Sequence, residues 1–250
     1  MKRLFTAVWM ILFAATAGAW AQLAGPPSLG LDFGLFARLS GDVTAYSAKA
    51  EVQVFDKNQK VKNTTPFDLA LLGKKVRVEI DTTKMQNKEL PGAAESLKQM
   101  GMDRLVSVIR PDKKAIYIIV PGQQSLVNMP MPQEDVDNFE KPPKLEETAL
   151  GKETIDGHAC VKHKAVFTDD KGGKRESTVW RASDLKNFPV QVLTQEKGET
   201  VIVHLRQVQF TKTDAKKFDV PAGFKEYSDV EAMVSGIAMK MLGGAGPVDR

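Results

Sequence analysis

The sequence predicts a mainly β (α+β) fold, an antiparallel sheet with helices laid against it. Three observations carry this. Gly151–Phe210 places four strand-like runs in close succession, Val76, Val78 and Ile80 alternate with Arg77, Glu79 and Asp81, and the C-terminal segment carries apolar residues at helical spacing. The four runs are His158–Phe167, Arg175–Ala182, Phe188–Gln195 and Thr200–Phe210. Their links are Asp169-Asp170-Lys171-Gly172-Gly173, the polar Ser183–Asn187, and Lys197-Gly198. Links this short, with glycine where φ is positive, join antiparallel neighbours, because a parallel crossover needs about a dozen residues.

From the N-terminus, Lys2 and Arg3 precede an apolar run, Leu4–Ala17, and Ala19-Trp20-Ala21 has the small-x-small form of a cleavage site. Residues 1–21 therefore read as a secretory signal, with the mature chain starting near Gln22. The apolar run falls short of the ~20 residues of a membrane span, so no transmembrane span is expected. No cysteine follows the cleavage site to take a lipid anchor, which points to a soluble, periplasmic product. Residues 22–40 read as a loose leader, and Leu31–Leu39 fits a short helix or a short strand equally. Residues 41–242 read as one domain and 243–250 as a tail.

Strand signals begin with Val43–Phe55 and continue through Phe67–Asp81, where period-two alternation gives one dry and one wet face. Pro91 followed by Ala93, Ala94, Leu97 and Met100 is helical spacing that stops at Gly101. Leu105–Arg110, Lys114–Val120 and Gln123–Met129 are three further strands, separated by Pro111-Asp112 and Pro121-Gly122. Ala115–Val120 is apolar at successive positions, so it should be covered on both sides. Met129–Leu145 holds four prolines and many charges and reads as a long loop linking two halves of the sheet. Phe218–Phe224 reads as a tethering segment. Ser228-Asp229-Val230-Glu231 fits a capping box for a final helix over 228–242. Its stripe is Val230, Met233, Val234, Ile237, Ala238 and Met241, and Gly243-Gly244 stops it. That helix carries Lys240 alone against Asp229 and Glu231, which disfavours a membrane-surface role.

Composition narrows function. The 250 residues carry a net charge of +4, but loss of Lys2 and Arg3 leaves 33 basic residues against 31 acidic, a net +2. Basic and acidic residues are interleaved, so no nucleic-acid partner is expected. One cysteine, Cys160, allows no internal disulfide. His158, Cys160 and His204 form a conceivable metal set, with His163 pointing off the strand face they would share. The sequence lacks G-x-S-x-G, H-E-x-x-H, a P-loop and G-x-G-x-x-G, and its adjacent acid pairs diverge in a strand or turn. Nothing argues for an enzyme or for a cofactor.

The run Gly151-Lys152-Glu153-Thr154-Ile155-Asp156-Gly157-His158-Ala159-Cys160 with Lys164 resembles a segment of exported domains akin to the outer-membrane lipoprotein carriers (LolA/LolB-like). Trp180, Phe188-Pro189-Val190 and Phe218–Phe224 extend the likeness, as do Gly73–Glu79 and Arg110-Pro111-Asp112 in the first half. It spans most of Gly41 to Tyr227 and is similar to an uncharacterised branch of that superfamily. The resemblance implies a strongly curved, unclosed antiparallel half-barrel with helices covering the concave face. In the carriers that space holds lipoprotein acyl chains, and no carrier residue maps here one by one.

The expected function is thus a non-enzymatic periplasmic binding protein, a carrier or chaperone for a lipid or lipidated protein. The expected lining is Val76, Val78, Ile80, Val106, Val108, Tyr117, Ile119, Val201, Val203, Met233, Ile237 and Met241. One alternative is an envelope-sensing or protein-interaction module with a closed core that meets an envelope partner through Met129–Leu145. A further alternative is a metal-binding protein. The C-terminal helix departs from the carrier pattern and could fill the hollow.

Overall fold

The computed structural model describes residues 37–196, 198–211, 213–241 and 243, with the side chain of residue 196 excepted. Residues 1–21, read from the sequence as a signal, and most of the stretch read as a leader lie outside the described residues. In chain order the strands are β1 (Ala45–Phe55), β2 (Val61–Leu72), β3 (Lys75–Asp81), β4 (Gln86–Asn87), β5 (Arg104–Arg110), β6 (Ala115–Val120) and β7 (Ser125–Pro130). After them come β8 (Lys144–Ile155), β9 (His158–Thr168), β10 (Lys174–Ala182), β11 (Phe188–Glu196), β12 (Glu199–Gln209) and β13 (Lys225–Tyr227). Three α-helices accompany them, α1 (Ala93–Gln99), α2 (Gln133–Glu140) and α3 (Val230–Met241), and residues 37–39, ahead of β1, are also helical.

All thirteen strands belong to one sheet in the order β13-β7-β6-β5-β3-β2-β1-β12-β11-β10-β9-β8, with β4 added beside β2. Two meanders meet where β1 pairs with β12, Val52 opposite Val203. The sheet is unclosed, since β13 and β8 form its two ends. It is antiparallel except that β13 pairs in parallel with β7, Glu226 opposite Leu126. That orientation is permitted because almost a hundred residues of the second meander lie between the two strands.

The sheet cannot be flat. β7 and β8 are ten strand positions apart, which is roughly 48 Å at ~4.8 Å per strand. The link from Pro130 to Lys144 includes the eight residues of α2 and spans at most about 32 Å. The two flanks must bend toward each other on the side that α2 crosses. Val136 and Phe139 of α2 are buried there with Val76, Val78, Phe167 and Val203, which defines the inner face.

The sequence misses four elements, the short β4 and β13 and, of more consequence, α2 and β8. Met129–Leu145 is not simply a loop: its prolines bracket α2, with Pro132 immediately before the first helical residue and Pro142 after the last. A proline before the first turn costs no hydrogen bond, and one beyond the end stops the helix. β8 is also absent from the sequence-based reading, because as an edge strand it exposes nearly every side chain and shows no alternation. Phe67–Asp81, read as one stretch, is a hairpin that reverses at Gly73-Lys74 with Gly73 at φ +62°. The start of α3 also moves by one residue. Asp229 is the cap, its Oδ1 accepting from Ala232 N at 2.7 Å, while the Ser228 hydroxyl donates to Asp229 Oδ2. That amide holds the Asp229 carboxyl below its usual range.

The outer face is covered over β5 to β7. Phe218, fully buried, packs with Val106, Val108, Tyr117, Ile119 and Leu126, and Val220 and Phe224 flank it. Arg110, 5% exposed, fastens this strap: Nη1 donates to the Phe218 carbonyl at 2.9 Å and reaches Asp219 at 3.1 Å, while Nε and Nη2 grip Asp112. Arg77 adds a bond to the Lys217 carbonyl.

Arg110→Met should destabilise the protein by about 2–3 kcal/mol in urea denaturation, since a buried carbonyl and two carboxylates lose a charged donor. Arg110→Lys should not restore it, because an ammonium cannot serve both sides of the fork. The Arg110 hydrogen bond depresses the Asp112 pKa. A depressed carboxylate stabilises the fold above its unfolded pKa, ~3.9 for aspartate, and that contribution fades as pH falls through the lower folded value. Stability measured below about pH 4 should therefore fall less steeply in Arg110→Met than in the parent. At Gly236 an added Cβ would lie 2.6 Å from Tyr227 Cε1. Gly236→Ala should lower the unfolding free energy in urea by about 1 kcal/mol, overpacking outweighing the helix-propensity gain.

Candidate functional site

The twelve residues expected to line a hollow divide between two faces. Val76, Val78 and Ile80 lie opposite Ile109, Ser107 and Leu105 of β5, whereas Arg77 and Glu79 lie opposite Val108 and Val106. Side chains alternate along a strand, so Val106 and Val108 point away from Val76 and Val78. Tyr117 and Ile119 pair with Val108 and Val106 and share their face. These four belong to the outer face beneath Phe218 and do not line the inner one. Val201 and Val203 are inner-face residues of β12. Met233 and Ile237 are fully buried over the inner face of β5 to β7, among Leu97, Leu105, Val120 and Val127. Met241 is 49% exposed and faces outward with Met239.

Helix α3 thus covers one flank of the inner face. Ile80, Ile118 and Met129 pack against both the cluster beneath α3 and the larger cluster beneath α2, so the apolar surface is continuous. α3 is held by Met233, Ile237, partly buried Val230 and Val234, and the three residues of β13 that precede it.

A concave site that the sequence does not reveal lies between α1 and the β2–β4 edge. It is a cavity of about 270 Å³ whose apolar walls include Val61, Leu90, Ala93, Ala94 and Leu97. Its volume is just under the ~300–1,000 Å³ common for small-ligand pockets. Leu97 is buried and also belongs to the cluster beneath α3, which places the cavity at the margin of the inner face. A shallower groove of about 380 Å³, lined by Asp56, Lys60 and Glu89 among others, adjoins it through Val61, Lys62 and Lys88. Lys62 stands between the two, its ammonium 2.7 Å from Glu199 of β12 and 3.2 Å from Glu89. Those hydrogen bonds, Glu199 first, raise its pKa. The α1 pattern was legible from Pro91 to Gly101, but the two-residue β4 is too short for any periodicity to show.

The three candidate metal ligands are not gathered, since β9, which carries His158 and Cys160, and β12, which carries His204, are three strand positions apart. Among the described residues no three His, Cys, Asp or Glu side chains gather as a cation site. His158 Nδ1 sits 2.7 Å from Asp184 Oδ2, holding that carboxyl below its usual range. Cys160 is buried, its thiol directed to the His158 carbonyl at 3.4 Å, and burial pushes its pKa up. His204 lies on another part of the outer face opposite Glu51, and burial foremost lowers its pKa. A neutral, enclosed thiol is a poor ligand and a poor nucleophile.

Residues 168–224 match a family described as a domain of unknown function (DUF4412). No curated protein matches the chain. Among solved structures, the chain is similar to a LolA superfamily protein of Nitrosomonas europaea, with 8% identity over 74% of this chain and 96% of that one at a TM-score of 0.37. It is similar to the lipoprotein LppX of Mycobacterium tuberculosis, with 14% identity over 76% of this chain and 99% of that one at a TM-score of 0.39. It is also similar to a chain of the MucA/MucB complex of Pseudomonas aeruginosa, with 11% identity over 78% of this chain and 63% of that one at a TM-score of 0.38.

Proposed function

We propose that the chain is an exported, non-enzymatic binding protein whose inner apolar face receives the acyl chain of a lipid or a lipidated protein when α3 is displaced. The observation that carries this is the surface beneath α3. Leu97, Leu105, Val120 and Val127 form a continuous apolar floor that is covered by one amphipathic helix anchored through two fully buried side chains. Burying Met233 and Ile237 contributes about 3–6 kcal/mol. A long acyl chain at ~0.8 kcal/mol per buried CH₂ gains on the order of 10 kcal/mol, enough to compete for the same floor. The rest of the inner face has no comparable weak cover, since α2 is tied down at both ends. The Phe139 carbonyl accepts from Lys74 Nζ at 2.8 Å, and Met131 N, just before the helix, donates to the Lys114 carbonyl at 2.9 Å.

A second reading is a closed module that meets an envelope protein. The exposed edge of β8 favours it, because this twelve-residue strand pairs with β9 alone. The segment first expected to make such a contact, Met129–Leu145, is largely committed to the interior through Met131, Val136 and Phe139.

The two readings separate on a titration with cis-parinaric acid. Ile237→Ala weakens the seat of α3 and should raise affinity for this long-chain probe by about tenfold or more, as a larger fraction of the protein exposes the floor. A folded Ile237→Ala protein, judged by circular dichroism, that binds no better than the parent would defeat the acyl-chain reading. Native mass spectrometry of the parent purified without detergent should show co-purified lipid.

A further inference from the structure

The cavity beside α1 differs from the face beneath α3 in being open as the structure stands, and the charges at its mouth are unequal in availability. Three lysines and three acids surround the approach. Lys62 is committed to Glu89 and Glu199, and those two acids to it. The Asp56 carboxylate is committed to its own turn, accepting from Lys60 N at 2.9 Å and Asn58 N at 2.8 Å, the first above all holding its pKa low. Lys60 and Lys88 remain: both are exposed, both line the groove, and neither has an ion-pair partner within 4.0 Å among the described residues. Two ammonium groups without a contact ion pair, Lys60 acting on Asp56 only at longer range, therefore flank a mouth that leads to Val61, Leu90, Ala94 and Leu97.

We infer that this cavity is a binding site for a small amphiphile with an anionic head, the head lying between Lys60 and Lys88 and the alkyl portion against Leu90, Ala94 and Leu97. A carboxylate or phosphate head suits the lysines, which act as point charges with rotatable donors. A medium-length alkyl chain matches the cavity volume. The neck is fixed by Lys62, whose double pairing ties the segment before α1 to β12 and keeps the mouth from collapsing onto α1. Displacement of α3 is not required, so this site stands or falls separately from the function proposed above.

The test is fluorescence titration of the purified chain with dansylaminoundecanoic acid and with its methyl ester. The acid should bind about tenfold more tightly than the ester, and added salt should weaken the acid alone. The double variant Lys60→Glu, Lys88→Glu should erase that preference and leave ester binding intact, while Lys57→Glu, in the same turn but outside the groove, should change neither. Ala94→Trp, which fills the cavity from the helix side, should abolish both. Displacement by dodecanoate would identify a fatty-acid ligand and displacement by dodecyl phosphate a phosphate-headed one, and displacement by neither would overturn the inference. Equal binding of acid and ester, or unaltered binding in Ala94→Trp, would also overturn it. Ile237→Ala should leave this short probe unaffected. A probe that binds only that variant belongs beneath α3, which would uphold the earlier proposal and defeat this one.

Discussion

The tether between β7 and β8 is the constraint on which the rest of the architecture depends. It joins strands ten positions apart in one sheet, yet its length allows about two thirds of the flat distance. The sheet bends because the chain leaves it no alternative, and α2 lies on the side toward which it bends. Val136 and Phe139 then meet residues from both meanders, which fixes one face as the interior. The lateral pairing of β1 with β12 closes the path between the meanders, while β13 and β8 stay apart.

A bent sheet has two faces with different needs, and the two are met by different means. The inner face is supplied with helices. The outer face of β5 to β7 is as apolar as the inner one and would be exposed without the strap that brings Phe218 over it. Arg110 makes that cover stable by meeting the strap's carbonyl and two carboxylates at once. Half-exposed acids beside a buried guanidinium limit the desolvation cost, since the carboxylates keep part of their hydration. The other end of the outer face has a smaller apolar cluster of Cys160, Trp180, Ala182 and Val190, where Trp180 Nε1 donates to Glu153 at 2.7 Å.

What the sequence reveals follows from where each signal originates. β9 to β12 are legible because their turns are written in local chemistry, such as Asp169 accepting from Lys171 N and Gly173 N. α3 is legible because one side is dry and the other wet, and its start slips by one residue because serine and aspartate are comparable caps. β8 is illegible because an edge strand exposed on both sides has no pattern to read. The assignment of Val106, Val108, Tyr117 and Ile119 to the inner hollow fails for the opposite reason. In β5 and β6 both faces are apolar, so alternation cannot say which set points inward. Only the cross-strand register, with Arg77 and Glu79 beside the valines, places them outside. The cavity beside α1 depends on Lys62 and Glu199, separated by more than a hundred residues, and no local pattern encodes that meeting.

Leu97 joins the two candidate sites physically. It forms part of the wall of the α1 cavity and part of the cluster beneath α3, so its position is felt by both. Well-packed interiors transmit small displacements, and a ligand seated against Leu97 would brace the same side chain that supports Met233 and Ile237. If occupancy of the small cavity favours the seated form of α3, then by linkage displacement of α3 must weaken the small cavity by the same factor. In that case the two sites oppose one another: one binds best with the helix down and the other with it fully lifted. Among the described residues Leu97 is the side chain common to both.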